Sequence, residues 1–174
     1  MDQHYDIVMR ARTAAAGAPR RNYFAYSTVL DRAAFLEWRA QHNYGFFDLP
    51  EGRVAEAVGL GLTFDFPSRW WGGRVAGLVD QPGSSVWGVV FQINGEDWPV
   101  VQHKEGGITG MCVEREVTVR IGGAEEKAVA FTTNPARASP AGPVSAAFVD
   151  ALVRGARSAG LPDAWTTALP SLAR

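Results

Sequence analysis

The sequence has little with which to cross-link its chain or bind a metal. Cys112 is the only cysteine, so an internal disulfide is excluded, and a reducing, cytoplasmic setting is expected. The three histidines, His4, His42 and His103, are not spaced for pairing with a carboxylate or thiol on one helix face, so no metal centre is expected. No apolar run approaches the ~20 residues of a membrane span. The N-terminus opens on Asp2 and lacks the hydrophobic core of a secretory signal. Net charge is −1, from 17 basic and 18 acidic side chains. That balance offers no long-range attraction for nucleic acid or an anionic membrane. A phosphate loop, a dinucleotide-binding glycine pattern and a nucleophile elbow are all missing, so no cofactor is expected.

What is present suits one α/β domain of ordinary size: 174 residues, 47% hydrophobic and 20% charged. Lysine is scarce as well. Only Lys104 and Lys127 interrupt a basic complement that is otherwise arginine, a bias that points to a GC-rich bacterial genome. Residues 1–21 read as an N-terminal extension, with a short helix over Asp6–Thr13 and a small-residue linker, partly mobile, over Ala14–Arg21. The domain proper is expected over residues 22–174.

Within it, Tyr23–Tyr26 is a short aromatic strand. Asp31 is a candidate N-cap for a helix carrying Phe35 and Trp38. Asn43–Arg53 reads as loop. Ala57–Phe66 places Val58, Leu60, Leu62, Phe64 and Phe66 at period two, the signature of a strand. Arg74–Val79 and Val86–Ile93 are two further strands, divided by Gln81-Pro82-Gly83. Glu96–Lys104 is a short helix with Pro99 in its first turn. Val113–Ile121 and Val129–Thr132 form a hairpin through Gly122-Gly123. One long helix over Val144–Ala159 closes the pattern, ended by Gly160 and Pro162. Short connections favour antiparallel pairing, and the expected class is α+β with a bent or barrel-like sheet.

Three loop segments beside strand ends are the candidate chemistry: Tyr23 to Thr28, Trp70-Trp71-Gly72-Gly73, and Glu105 to Met111. Read alone, Glu105 is either a working carboxylate or a solvated glutamate at a helix end. Trp70 and Trp71 fit core packing, substrate contact or a homodimer interface. Cys112 fits a small buried hydrophobe.

Together these segments resemble the γ-glutamylcyclotransferase family. The family's F-A-Y-G-S-N strand and loop is echoed by Phe24-Ala25-Tyr26-Ser27-Thr28-Val29, and its W-x-G-G segment by Trp70-Trp71-Gly72-Gly73. Its V-W-G-V-V strand is present at Val86-Trp87-Gly88-Val89-Val90. Its E-G and G-M-Y pieces appear as Glu105-Gly106 and Gly110-Met111-Cys112. A T-N turn follows at Thr133-Asn134 and a G-L-P at Gly160-Leu161-Pro162. All six pieces occur in order between Asn22 and Leu169.

The resemblance implies a compact β-barrel with a few helices, among them a long C-terminal one. It also implies a small-molecule substrate, a γ-glutamyl amine or related amide. The substrate's own α-amine attacks its γ-carbonyl, giving 5-oxoproline and a free amine. Proximity is then built into the substrate, and the enzyme need only move protons and hold the oxyanion. The resemblance assigns Glu105 as general acid/base, and such a base towards an ammonium group works best in a dry pocket. It assigns substrate binding to Tyr26, Ser27, Thr28, Val29 and Cys112, with backbone N–H groups of the loop as anion holders. The chain departs from the pattern on that binding side. Ser27 replaces a glycine, Val29 an asparagine, Cys112 a tyrosine, and Pro135 an aromatic residue. A changed substrate, a different acid/base reaction (isomerisation, or amide or lactone cleavage), or a non-catalytic binding role are the alternatives these departures leave open.

Overall fold

Alternating apolar residues and tight glycine turns fold five segments of the chain into one sheet. The protein is described here by a computed structural model over residues 3–174. Five strands, β1 (Arg21–Ala25), β2 (Gly52–Ser68), β3 (Gly73–Ile93), β4 (Cys112–Ile121) and β5 (Ala124–Thr133), close into a barrel in the order β1-β3-β2-β4-β5. All neighbours are antiparallel except β1 and β5, which meet in parallel at Tyr23 and Val129 and so complete the ring. The expected α+β class with a barrel-like sheet is what the chain adopts.

The two central strands are longer than their patterns predict. Gln81-Pro82-Gly83 was expected to separate two strands, yet β3 runs through it. Val58 pairs with Ser85 while Leu60 pairs with Asp80, so the residues from Gln81 to Ser84 lie outside the pairing register opposite Gly59. Pro82 has no N–H for a ladder, and a bulge is where a strand tolerates it. The β4–β5 turn behaves as expected: Gly122 and Gly123 both take positive φ, 55° and 86°, as a two-residue hairpin turn requires.

Helices cover the barrel. They are α1 (Gln3–Ala14), α2 (Arg32–Gln41), α3 (Trp98–Lys104), α4 (Ala146–Ser158) and α5 (Asp163–Leu172). The N-terminal segment packs onto the body more than a mobile appendage would. Val8 is fully buried, and Arg12 reaches Asp97 at 2.7 Å. Met1 and Asp2 of that segment lie outside the described residues. Ser145 caps α4 by accepting the Phe148 N–H at 3.1 Å; the spacing predicts a packing face of Ala147, Phe148, Ala151, Leu152 and Gly155, and all of these are buried except Ala147, which faces solvent. Helix α5 follows Gly160 and was not legible in the sequence. Asp31 sits at the start of α2, but its side chain makes no cap; it pairs instead with Arg154 of α4 at 2.9 Å.

That pairing fixes the loop after β1. A methyl group on Gly155 would stand 2.6 Å from the Asp31 backbone nitrogen, so only glycine lets α4 approach this closely. On the other side, Glu114 of β4 accepts from Trp98 Nε1 at 2.6 Å and Gln102 Nε2 at 2.9 Å, both on α3, and pairs with Arg21 of β1 at 2.9 Å. Burial opposes the charge on Glu114, but these three donors outweigh it and hold the carboxyl below its ordinary range. The loop after β1 and the end of α3 are thereby held at the same rim of the barrel.

Candidate active site

At that rim lies a cavity of about 920 Å³, within the range of small-molecule sites. Glu105 lines it from the C-terminal end of α3. The helix stops there because Gly106 takes φ +79°, and the Gly106 carbonyl then accepts from the N–H groups of Met111 and Cys112 at 3.0 and 3.1 Å. Asn134 ties the same loop to β5: its side-chain nitrogen donates to the Gly110 carbonyl at 2.9 Å and its backbone N–H to the Met111 carbonyl at 2.9 Å. The Glu-Gly-Gly segment is thus a closed turn, not a frayed helix end.

Glu105 is half-buried, and no ion pair to it occurs among the described residues, although Lys104 is its neighbour. Its Oε1 accepts the hydroxyl of Tyr23 at 2.5 Å. Tyr23 is buried within the barrel, its ring against Phe91, Trp98 and Phe131. Burial, and then the adjacent Glu105 charge, raise the Tyr23 phenol well above its ordinary range. Tyr23 therefore stays protonated and donates, holding one oxygen of a carboxylate that lines the cavity.

The loop after β1 borders the same space. Tyr26, Ser27 and Thr28 line it, as does Cys112. Tyr26 spends its hydroxyl on the Phe131 carbonyl at 2.5 Å, so it shapes the wall and has that donor already engaged. Leu30 and Asp31 donate their N–H groups back to the Ser27 and Thr28 carbonyls. The N–H groups of Ser27, Thr28 and Val29 have no partner among the described residues, which leaves them for an anion. Ser27 sits at φ −119°, ψ −156°, an extended conformation open to any residue, so a serine stands here without strain.

Val29 is the exception among the expected site residues. Its side chain leaves the cavity and packs into the core with Leu30 and Phe35. Thr28–Leu30 is a turn of 3₁₀ helix, which rotates successive side chains by about a third of a turn. Only the backbone of Val29 can serve the site. Burial pushes the Cys112 thiol up to about 12, with Glu105 and Asp65 adding to the shift. Such a thiol is a neutral wall atom near neutral pH, not a nucleophile.

Two residues of the site were not singled out from the sequence. Tyr23 was included only as the first residue of the candidate segment Tyr23 to Thr28, with no role assigned, and the available signal was a phenol in an otherwise apolar strand, which must find a partner when buried. Asn134 was noted only as part of a turn. Among the described residues no group of histidine, cysteine and carboxylate side chains could hold a metal ion, and no helix is long and apolar enough to cross a membrane.

Comparison with known proteins gives the family. The AIG2-like family matches residues 85–169, a span that contains Glu105 and Cys112 but not the Tyr26 loop. A gamma-glutamylcyclotransferase from Bos taurus is 30% identical over 141 residues, 80% of this chain and 72% of the relative. The chain belongs to the γ-glutamylcyclotransferase family. A human gamma-glutamylcyclotransferase is also 30% identical, over 95 residues, 55% of this chain and half of that one. A solved gamma-glutamyl cyclotransferase structure shares the fold with TM-score 0.71 at 24% identity, covering 87% of both chains.

Proposed function

We propose that the protein is an enzyme that cyclises a γ-glutamyl amine or peptide to 5-oxoproline. The observation that carries this reading is Glu105. It lines a cavity, accepts from a buried phenol, has no ion pair among the described residues, and shares the cavity with a loop whose N–H groups have no partner among them.

In this reading the substrate carboxylate or its developing oxyanion rests on the Ser27–Val29 backbone. Glu105 takes a proton from the α-ammonium group, and the freed nitrogen lone pair attacks the γ-carbonyl carbon. As the tetrahedral carbon collapses, the bond to the leaving nitrogen breaks, Glu105 returns its proton to that nitrogen, and the second proton of the ring nitrogen passes through Glu105 to the departing amine, which leaves in its ammonium form. The products are 5-oxoproline and an amine, with no net proton change at the enzyme. The five-membered ring closes within one molecule, so no side-chain nucleophile is needed. This matches the raised Cys112 thiol, which is unsuited to covalent catalysis.

A different acid/base reaction on a related amide is the second reading, motivated by Cys112, Val29 and Pro135 at positions where the family carries a tyrosine, an asparagine and an aromatic residue. A purely non-catalytic module fits less well, because such a module has no need for an aligned carboxylate in an open cavity. The test is mass-spectrometric detection of 5-oxoproline after incubation with a panel of γ-glutamyl amino acids and amines. Release from at least one substrate is expected. No release from any, with hydrolysis or isomerisation products instead, would move the assignment to the second reading.

A further inference from the structure

The cavity is larger than the reacting end of a γ-glutamyl group requires, and one stretch of its remaining wall is aromatic. Trp38 and His42 stack with ring centroids 4.7 Å apart, and His42 lies 6.3 Å from Trp70. All three line the cavity. Trp38 is 7% exposed and Trp70 50%, so the fold uses only part of the Trp70 surface. The backbone that carries Trp70 is nevertheless held by its neighbour. The neighbouring Trp71 donates its N–H to Ser68 Oγ at 3.2 Å, and its carbonyl accepts from Ser145 Oγ at 2.7 Å. Gly72 turns the chain with φ +67°. A half-exposed indole beside a cavity is a ready stacking surface.

Charge around the wall is one-sided. Arg69, Lys104 and Arg137 line the cavity, and none forms an ion pair among the described residues, while Glu105 is the only acidic lining residue. Lys104 Nζ stands 5.6 Å from the centre of the Trp38 ring and directly precedes Glu105. The aromatic wall therefore begins next to the carboxylate. The glutamyl part of a substrate is constant, small and polar, and it suits the Ser27–Thr28 backbone. The leaving amine is the part free to differ, and it departs from the carbon that Glu105 serves.

We propose that Trp38, His42 and Trp70 form a subsite for the leaving amine, and that the preferred substrates are γ-glutamyl derivatives of aromatic amino acids. The ring stacks on Trp70, and the amino-acid carboxylate faces the cations. This rests on the cyclotransferase reading and names the substrate class of the same site.

The experiment compares kcat/KM for 5-oxoproline release from γ-glutamyl-phenylalanine and γ-glutamyl-alanine in the wild type, Trp70→Ala and Trp70→Phe. The wild type is expected to favour the phenylalanine compound by about tenfold or more, Trp70→Ala to bring the ratio near one, and Trp70→Phe to restore most of it. γ-Glutamylbenzylamine, which keeps the ring without the carboxylate, is expected to be poorer than γ-glutamyl-phenylalanine, and equal rates would remove the cations from the proposal. A wild-type ratio near one, or a ratio unchanged in Trp70→Ala, overturns the subsite while 5-oxoproline release keeps the cyclotransferase reading. If neither compound yields 5-oxoproline, that reading fails, and calorimetric titration with γ-glutamyl-phenylalanine decides the subsite. Binding weakened about tenfold by Trp70→Ala supports it, and no binding, or binding indifferent to Trp70, overturns it.

Discussion

Replacing Tyr23 by phenylalanine removes one atom from the site and little else. The ring keeps its contacts with Phe91, Trp98 and Phe131, so the barrel should stay folded, with a loss of no more than about 3 kcal/mol from the missing bond to the carboxylate. What disappears is the 2.5 Å donation to Glu105 Oε1. Hydrogen bonds to a charged group contribute about 1.5–3 kcal/mol. If the bond acts by orienting Glu105, kcat should fall about tenfold to a hundredfold, since each 1.36 kcal/mol is a factor of ten. KM should change little, because Tyr23 is behind the carboxylate and has no surface on the substrate. Initial rates of 5-oxoproline release across substrate concentration separate the two constants, and a thermal melt controls for folding. A folded Tyr23→Phe protein with wild-type kcat would refute the positioning role. A loss confined to KM would place Tyr23 in substrate binding instead.

Cys112 should react with iodoacetamide at pH 8 about a thousandfold more slowly than an ordinary cysteine, because its thiol titrates near 12 in place of 9.0. Its folded value is raised, so the stability it contributes is present below pH 9 and is lost as pH climbs towards 12. Cys112→Ala should flatten the alkaline arm of a stability–pH curve, and an unchanged arm would contradict the burial argument. Gly155→Ala should cost about 1–3 kcal/mol by thermal melt, because the new methyl meets the Asp31 and Leu30 backbone at 2.6 and 2.8 Å. The same shift of the Ser27–Asp31 loop should raise KM, and a neutral result in both would detach the loop from α4.

Local signals were the readable ones. Gly122-Gly123 specified its hairpin because two positive φ angles leave few alternatives to glycine. The alternation in β2 and the apolar face of α4 emerged for the same reason, since each is a period within one element. Glu105 and the Tyr26 loop were found through their motif surroundings. Features that depend on distant pairings were not legible. The parallel closure of β1 on β5 joins residues about a hundred positions apart, and no local pattern encodes it. Pro82-Gly83 looked like a strand end because a proline in a bulge and a proline in a turn read alike. Val29 was grouped with the site because it stands where the family's loop motif has its asparagine, and the 3₁₀ turn rotates it into the core. Tyr23 was missed because the partner that gives its hydroxyl a role is 82 residues away.

The central claim is that Glu105 moves the proton. Glu105→Gln keeps the size of the side chain and an oxygen that Tyr23 can donate to, while removing the base. Steady-state 5-oxoproline release by Glu105→Gln, on the best substrate of the wild type, should fall by about a hundredfold to ten-thousandfold in kcat, with the fold unchanged by circular dichroism. Wild-type kcat in that variant would contradict the account.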